Sequence, residues 1–396
     1  MFEIGKFEDY KKAIADCDHF KVYEKDDYFV INYHLSDNTT FPDPNEPGIS
    51  EQESASRKMR RDCRGIIFDK EGNLIRLPYH KFFNLNEKEE TNIKNVDFSK
   101  PHVILEKLDG SMVTPLMIAG NLRWATKAGI TDTSMEAEVF VASRPQYKQF
   151  AYSCLESGIM PIFEWCSRKN RIVLDYAEDN LVLTAMRVSN TGDYLYYEYM
   201  KNLANLYNIS VVRCVYDGEK PIDKFIEEDI KSQEGLEGIV IRFDNGNMIK
   251  VKSEWYCQLH KMKDNLTHEK NVIKLIIEEK VDDLLPFLLD EDKKRLLDFQ
   301  RLFIENLKKK IYYLVNRCSQ VYKIDRKVYA TSDHDDPSLE RSIIFNCWGD
   351  PSKEKIEEAI LRIISRNLGS QSNVDKIRSL WYNLNWSDFS AGGGLD

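Results

Sequence analysis

The chain has 396 residues, 42% of them hydrophobic and 31% charged, which is the composition of a soluble globular protein and excludes a disordered one. Its length predicts two domains, because a single core of ordinary size does not fill a chain this long. The net charge of −9 argues against a nucleic-acid partner, but this charge is uneven, and residues 265–396 carry a net charge of only −1. Because nucleic acids are bound by local basic patches, the net charge does not exclude such a partner.

Two cellular locations are disfavoured by the sequence. No apolar stretch approaches the roughly 20 residues of a transmembrane helix, so we expect no membrane partner. The first residues lack the apolar core of a signal peptide, so we expect the protein to stay in the cytoplasm. The eight cysteines form no C-x-x-C pair, which predicts reduced thiols and no zinc site.

Residues 1–264 show mainly the pattern of strands and turns. A helical pattern near residues 7–16 comes first, and the apolar runs 64–69 and 74–77 then read as two strands joined by a turn. Residues 103–105, 112–114 and 122–127 continue the strand pattern. Helical patterns near residues 135–143 and 197–207 interrupt it.

The clearest hairpin in the sequence lies at residues 238–252. Two apolar runs flank Asn245-Gly246, a pair of residues that strongly favours a two-residue hairpin turn. The second run carries the lysine pair Lys250 and Lys252, which are polar residues at the end of the hairpin strand.

The pattern changes after residue 264. Apolar residues recur there at helical spacing in three separate stretches, around residues 272–276, 297–315 and 356–364. We therefore predict an α+β protein, with an N-terminal domain built on antiparallel sheets over residues 1–264 and an all-helical domain over residues 265–396.

Three basic runs are candidates for RNA contacts. They lie at residues 57–61, 308–310 and 323–327. Solvated helix faces and loop charges explain each run about as well as a nucleic-acid patch does, so composition alone does not decide between them.

The strongest chemical signal is Lys107-Leu108-Asp109-Gly110, a turn between two predicted strands. A lysine can act as a nucleophile when nearby positive charge and partial burial lower its pKa, and the same cations neutralise a phosphate under attack. By itself K-x-D-G is weak, since it arises by chance in about one in ten chains of this length.

Further blocks in the first domain mix charged, glycine and aromatic residues in ways that packing alone does not require. They are Asp62-Cys63-Arg64-Gly65, Tyr79-His80-Lys81-Phe82-Phe83-Asn84, Phe163-Glu164-Trp165, Glu237-Gly238 and Lys250-Val251-Lys252. An unpaired carboxylate in an apolar strand is costly, which makes Glu164 and Glu237 candidates for a function. Ion pairs at strand ends explain each block alone, but not the whole ordered series.

This series resembles the ordered motifs of covalent nucleotidyltransferases, and within them the RNA ligase 1 family of T-even-like bacteriophages. The strings that carry the resemblance are Arg64-Gly65-Ile66-Ile67-Phe68, Lys81-Phe82-Phe83-Asn84-Leu85-Asn86-Glu87, Asn170-Arg171-Ile172-Val173-Leu174, Lys250-Val251-Lys252-Ser253-Glu254-Trp255-Tyr256 and Asp325-Arg326-Lys327-x-Tyr329-Ala330. The chain departs from the family at Ile31, which precedes Asn32-Tyr33 where the family carries an aromatic residue, so no aromatic hydroxyl can act from position 31.

The resemblance implies an ATP-dependent RNA ligase with Lys107 as the residue that receives AMP and with Lys250 and Lys252 as catalytic contacts of the α-phosphate. It also implies a set of ATP-binding residues: Arg64, Lys81, Phe83, Asp109, Gly110, Lys127, Glu164, Glu237, Lys250 and Lys252. Within this set, Arg64, Lys81 and Lys127 would hold the triphosphate, Glu164 would accept from ribose hydroxyls, and Phe83 would pack on the adenine or form a wall of its pocket. Asp109 would orient the turn, and Gly110 would permit a close backbone approach.

The resemblance further implies Mg²⁺, or alternatively Mn²⁺, organised by Glu237 directly or through water. The expected partner is RNA, specifically a tRNA cleaved in its anticodon loop. Whether a polynucleotide kinase-phosphatase prepares the ends is left open by the sequence. For a phage-encoded protein, the compartment would be the host cytoplasm.

Two other functions remain open at this point. A DNA ligase or a capping guanylyltransferase would share the motifs, but these enzymes usually place an OB-fold where this chain has helical patterns. A non-catalytic RNA-binding protein on a ligase scaffold would be expected to lack the nucleophile or the metal carboxylate, and this chain keeps Lys107 and Glu237.

Overall fold

The computed structural model describes residues 3–169, 173–288, 290–331 and 336–389. The chain divides into two compact units, Met1–Gln258 and Leu259–Asp396, close to but not at the predicted boundary. The first unit combines strands and helices, and the described part of the second is helical, so the predicted α+β class is confirmed.

All strands among the described residues belong to the first unit. They are β1 (Phe20–Glu24), β2 (Tyr28–Tyr33), β3 (Arg64–Asp69), β4 (Leu74–Arg76), β5 (Phe83–Asn84), β6 (His102–Lys107), β7 (Ser111–Ile118), β8 (Asn121–Ala125), β9 (Ile159–Cys166), β10 (Asn180–Val188), β11 (Gly238–Phe243) and β12 (Met248–Lys252). The β11–β12 hairpin and β3 have the bounds expected from their apolar runs.

The helices are shared between the two units. They are α1 (Phe7–Ala13), α2 (Glu51–Asp62), α3 (Asp132–Ala142), α4 (Pro145–Glu156), α5 (Tyr197–Leu206), α6 (Ile222–Phe225), α7 (Glu254–Thr267), α8 (Glu269–Ile277), α9 (Val281–Leu284), α10 (Asp290–Val321), α11 (Arg326–Thr331), α12 (Ser338–Asn346), α13 (Lys353–Asn367) and α14 (Gln371–Ile377). A π-helical segment, Ile226–Lys231, continues α6.

Three four-stranded sheets form the framework of the first unit. Their strand orders are β1-β2-β3-β4, β10-β9-β7-β8 and β5-β12-β11-β6. Neighbouring strands are antiparallel except for β5, whose two residues run parallel to β12. In the third sheet, β11 and β12 are brought beside β6 from more than a hundred residues away in the sequence, which places both lysine motifs on one sheet.

A buried arginine joins the first sheet to the second. Arg76 is fully buried on β4 and donates to the Thr114 hydroxyl on β7 and to the carbonyl groups of Gly65 and Ala125. Burial lowers the pKa of Arg76 to about 9, and repulsion from Arg64 contributes to the shift. The guanidinium therefore fixes β3, β4, β7 and β8 relative to one another through hydrogen bonds rather than through an ion pair.

The basic run at residues 57–61 lies on α2, a helix that the sequence pattern did not indicate. Its arginines pair with acidic residues: Arg57 with Glu46 and Glu53, Arg60 with Asp16, and Arg61 with Glu90. Charges neutralised in this way hold the helix against its surroundings. The structure thus favours the structural interpretation of this run over the RNA-binding one.

The second unit is organised around α10, the longest helix, whose apolar stripe packs into a single core. Lys310, the last residue of the second basic run, lies inside this packing and pairs with the buried Glu340 at 2.8 Å. It is therefore not available to a phosphate, unlike its exposed neighbours Lys308 and Lys309. Among the described residues, no helix is both long and apolar enough to cross a membrane.

Candidate active site

The two lysine motifs meet on either side of one glycine. Gly238 begins β11, the strand between β6 and β12, and its register partners are Lys107 on β6 and Lys252 on β12. A Cβ atom at position 238 would lie 2.0 Å from the Val251 carbonyl oxygen, so the strands can approach this closely only with glycine there. The sheet register therefore brings together lysines that are far apart in sequence.

A single carboxylate oxygen binds both lysines. Glu237 Oε1 lies 2.8 Å from Lys107 Nζ and 3.1 Å from Lys252 Nζ. Glu237 is only 3% exposed, and its backbone is tied to Ser253, which donates its N–H to the Glu237 carbonyl. Burial makes each of these charge-assisted contacts stronger than it would be in water.

The third predicted catalytic lysine lies beside this pair. Lys250 follows the same face of β12 as Lys252, and its ammonium is 5.9 Å from the centre of the Phe82 ring. Burial lowers the pKa of Lys250 to about 8, and the cationic Lys81 and Lys107 add to the shift. A lysine in this state is a weakly solvated cation that an incoming phosphate would stabilise.

A second group of cations surrounds Tyr33 at the end of β2. The ammonium of Lys127 lies 3.7 Å from the centre of the Tyr33 ring, and that of Lys81 lies 5.1 Å from it. Burial raises the pKa of Tyr33, but Lys127, Lys81 and Arg64 outweigh that effect and lower the pKa to about 8. Burial in turn lowers the pKa of Lys127. Three of the predicted triphosphate ligands thus share one strongly positive environment.

The glycine of the Arg64-Gly65 motif explains how this group assembles. Gly65 has φ +88°, and a Cβ atom there would lie 2.4 Å from the carbonyl oxygen of Lys127. The backbone of Lys127 can therefore pass directly over β3, which places its side chain in the same region as that of Arg64.

Asp109 holds the Lys107 turn in place. Its Oδ2 atom accepts from the backbone N–H groups of Val173 and Leu174 at 2.7 and 2.6 Å, and its Oδ1 atom accepts from the Tyr256 hydroxyl at 2.7 Å. Its own N–H donates to the Tyr176 hydroxyl. All of these contacts are structural, which fits the orienting role expected of Asp109 better than a chemical one.

Gly110 lets the turn approach β9. A Cβ atom at this position would lie 2.5 Å from the Trp165 carbonyl oxygen and 3.1 Å from Cγ of Glu164. Burial raises the pKa of Glu164 to about 7, with Lys107 opposing the shift and Glu237 adding to it. The turn, Glu164 and Glu237 are therefore electrostatically coupled.

Phe83 is placed differently from the expectation that it packs on a base. Its ring is 1% exposed, lies in the core of the first unit and contacts the ring of Phe41 edge-on. Lys81 lies above it, with its ammonium 5.4 Å from the centre of the Phe83 ring. This burial does not favour the first expected role of Phe83, stacking on adenine, and its second expected role, as a wall of the adenine pocket, stays a prediction. The ring forms the floor beneath Lys81.

The acidic residues suit a metal ion that is held mainly by its substrate. The described residues contain no cluster of three or more His, Cys, Asp or Glu that could hold a metal alone. Mg²⁺ commonly keeps several waters and binds one or two carboxylates together with substrate phosphates. Glu237 fits that pattern, because it lies beside two lysines that are predicted to contact phosphate. Of the resemblance strings, Asn170-Arg171-Ile172 lies outside the described residues.

Two tyrosines belong to this region although sequence reasoning assigned them no role. Tyr33 follows the substituted Ile31 by two positions and supplies a hydroxyl among the cations. Tyr256 supports Asp109, and its ring lies 4.9 Å from the ammonium of Lys252. Tyr256 could have been found from the sequence, because it ends the string from Lys250 to Tyr256. Tyr33 could not, because its place among the cations depends on where β2 ends.

Gly65 offers a direct test of the close approach to Lys127. We expect Gly65→Ala to be considerably more destabilising than Gly48→Ala, because both glycines have φ +88° but only Gly65 has backbone within 4 Å of the new methyl group. The backbone conformation alone costs about 1 kcal/mol in each variant. Urea denaturation of both variants measures the difference, and equal losses of stability would show that Lys127 does not pass over Gly65.

Comparison with known proteins relates the chain to a family of ligases. Residues 62–256, about half of the chain, match a family described as RNA ligase. A Thermovibrio ammonificans protein named as an RNA ligase is 28% identical over 72% of this chain and 73% of its own length. RNA ligase 1 of bacteriophage TS2126 is 24% identical over 57% of this chain and 58% of its own length.

A third relative carries an additional enzyme. It is a protein of Autographa californica nuclear polyhedrosis virus named as a bifunctional polynucleotide kinase/RNA ligase, 25% identical over 68% of this chain but only 39% of its own length. The matched family segment contains the predicted lysines, arginine and glutamates, and all three relatives carry the ligase name. Together these similarities support the RNA ligase 1 family of the nucleotidyltransferase superfamily as the family of this chain.

Proposed function

We propose that this protein is an ATP-dependent RNA ligase that joins an RNA 5′-phosphate to a 3′-hydroxyl through a lysyl-AMP intermediate. The observation that carries the proposal is the contact of one buried carboxylate, Glu237, with both Lys107 and Lys252. The similarity to RNA ligases over residues 62–256 and the positive environment around Tyr33 support it.

In the first step, the Lys107 nitrogen attacks the α-phosphorus of ATP, a nitrogen–phosphorus bond forms, and pyrophosphate leaves. An ammonium has no lone pair, so a proton must leave Lys107 before or during this attack. The Glu237 carboxylate is in direct contact with that ammonium and is placed to accept the proton. Lys250 and Lys252 neutralise the charge that develops on the phosphate.

The cations around Tyr33 bind the rest of the triphosphate in this proposal. Arg64, Lys81 and Lys127 share one environment, and Arg64 is assigned to the γ-phosphate. Glu164, next to the Lys107 turn, accepts from the ribose hydroxyls. Glu237 also contributes to a Mg²⁺ or Mn²⁺ site, where the ion would offset the negative charge of the phosphates.

In the second and third steps, AMP is passed on and then released. The RNA 5′-phosphate oxygen attacks the lysyl-AMP phosphorus, so the bond to Lys107 breaks and an RNA-adenylate with a pyrophosphate linkage forms. The RNA 3′-hydroxyl oxygen then attacks the RNA 5′-phosphorus and gives up its proton to solvent, and AMP leaves with the electron pair of that linkage. No further oxidant or reductant is needed.

The helical unit is proposed to select the RNA. The predicted catalytic and ATP-binding residues all lie in the first unit, and the described part of the second contains only helices in place of the strands that an OB-fold would need. The physiological substrate we propose is a tRNA cleaved in its anticodon loop, repaired in the cytoplasm. The kinase joined to a related ligase in the baculovirus protein supports coupling to an end-healing enzyme.

Lys107 is predicted to be the only covalent acceptor of AMP. Lys107→Ala should form no adduct with α-labelled ATP after denaturing electrophoresis, whereas GTP should not label the wild type. Lys107→Arg should fail as well, because a guanidinium remains protonated at the working pH. AMP found by mass spectrometry on the folded Lys107→Ala protein would contradict the assignment.

Lys252 is predicted to act on the phosphate and not on stability. Lys252→Ala should slow adduct formation on the order of 100- to 1,000-fold, the usual cost of losing one donor that acts in the transition state. Lys21→Ala, on the exposed face of β1, is the matched control and should react like the wild type. Near-normal adduct formation in the Lys252 variant, with an unchanged melting temperature, would remove Lys252 from the site.

ATP binding at pH 8 is predicted to take up protons. Lys250 and Tyr33 each have a pKa of about 8, so each is roughly half deprotonated there, and the negative triphosphate raises both pKa values. Calorimetric titration with a non-cleavable ATP analogue, in buffers of different ionisation enthalpy, should therefore show an uptake of about one proton.

Substitutions measure separately how much of this proton uptake comes from Lys250 and how much from Tyr33. Lys250→Arg keeps the charge without a titration near pH 8 and should lose about half of the uptake, and adding Tyr33→Phe should remove the rest. A wild type that binds the analogue without taking up protons would contradict the placement of the triphosphate. So would a double variant with unchanged uptake.

A further inference from the structure

Two partly exposed tyrosines of the second unit, Tyr313 and Tyr382, lie beside the same ammonium group, and a third, Tyr312, precedes Tyr313 on α10. Tyr312 and Tyr313 are 70% and 44% exposed on α10, and Tyr382, beyond α14, is 49% exposed. Rings of this size are usually buried, so several of them side by side on the surface call for an explanation. We refer to Tyr312, Tyr313 and Tyr382 as the tyrosine surface.

The buried ion pair of Lys310 and Glu340 holds this surface together. The Lys310 ammonium lies 5.4 Å from the centre of the Tyr313 ring and 4.8 Å from that of Tyr382, while Glu340 fixes it from below at 2.8 Å. Both rings thus contact one immobilised cation, which orders them without covering them. Preordered rings lose little conformational freedom when a ligand stacks on them.

The backbone at Tyr382 is unusual for such a large side chain. Tyr382 has φ +55° and Asn383 has φ +59°, a conformation that costs a tyrosine energy and is more typical of glycine or asparagine. The turn is anchored to α10, because Trp381 packs on Phe303 and its carbonyl accepts from the Asn306 side chain at 3.2 Å. The strained turn directs a tyrosine to the surface where packing does not require one.

Free positive charge adjoins the rings. Lys308 and Lys309 are exposed one helical turn before Tyr312 and Tyr313, and within the part of the chain that the structure describes neither lysine forms an ion pair. The acid at the preceding turn, Glu305, faces Arg301. Aromatic faces and unpaired cations therefore alternate along one side of α10.

We propose that the tyrosine surface, with Lys308 and Lys309, binds unpaired bases of the RNA substrate by stacking while the two lysines contact the neighbouring phosphates. Stacking on aromatic rings beside a basic groove is how proteins hold single-stranded nucleic acid without reading its sequence. A protein partner is less well matched, because lysine is depleted at protein–protein interfaces and two free lysines border these rings. The inference rests on the proposed RNA ligase function and assigns an RNA contact to the second unit.

The test measures binding of a short, unstructured, fluorescently labelled RNA to the full-length protein without ATP. Tyr313→Ala and Tyr382→Asn remove one ring each, and asparagine tolerates the left-handed backbone at position 382. Each should weaken binding roughly 5- to 100-fold, the range expected for the loss of one stacked base. Tyr313→Phe and Tyr382→Phe keep the rings and should bind nearly as the wild type does. Tyr199→Ala removes an exposed tyrosine of the first unit and is the matched control.

Several results would overturn the proposal. The first two are a wild type that does not bind the RNA and folded ring-removal variants that bind it normally. The third is a loss of affinity in the phenylalanine variants as large as that in the ring-removal variants. The fourth is an equal loss of affinity for a blunt RNA duplex, which offers no unpaired base. Photocrosslinking of 4-thiouridine RNA to the wild type needs no variant. Crosslinks mapped to residues 308–313 or 378–383 are expected, and crosslinks found only elsewhere would refute the assignment.

The two proposals fail separately. Adduct formation by the wild type with ATP alone tests Lys107 chemistry without RNA, and the binding assay tests the tyrosine surface without ATP. A protein that forms the adduct but ignores the tyrosine substitutions disproves the RNA surface only. A protein that binds RNA through the tyrosines but forms no adduct disproves the ligase proposal only.

Discussion

The candidate active site depends on one buried carboxylate that is shared by two lysines. Glu237 gives Lys107 and Lys252 a common anion at the point where β6 and β12 flank β11. Without that anion, two ammonium groups would repel each other in a partly buried position. This repulsion would lower the stability of the folded state considerably. A phosphate oxygen at this position would also be attracted by Lys107 and Lys252. A nucleotide that binds there would therefore compete with Glu237 for the two lysines or share them with it.

The geometry around this carboxylate comes from glycines more than from charged residues. Gly238, Gly110 and Gly65 each lie against a carbonyl oxygen that a Cβ atom would strike, and each stands beside or near a candidate catalytic or ATP-binding residue. The motifs therefore contain two kinds of information. The charged residue contributes the chemistry, and the glycine permits the backbone contact that brings the next motif within reach.

The sequence was most informative where a pattern is local. The β11–β12 hairpin followed from alternating apolar residues around Asn245-Gly246, and the helical second unit followed from periodicity alone. Helix α2 was missed because its basic residues hid the pattern, and their ion partners are distant in sequence. Burial of Phe83 and Lys310 could not be foreseen either, since residue type does not reveal which face of an element meets the core. The convergence of Lys107 with Lys252 was expected from the family resemblance, but the shared contact with Glu237 and the place of Tyr33 depend on strand register and strand ends.

The strand order of the third sheet also has a consequence for how the protein folds. Its members come from residues 83–84, 102–107, 238–243 and 248–252, so both pairings other than the β11–β12 hairpin close a long loop. Such non-local pairings form late and slowly, because the entropy of loop closure must be overcome before the contacts form. During synthesis, Lys107 emerges from the ribosome well before Glu237 and Lys252 exist. The nascent chain therefore carries Lys107 without its carboxylate partner until the hairpin docks, so the proposed nucleotide chemistry would begin only in molecules whose third sheet is complete.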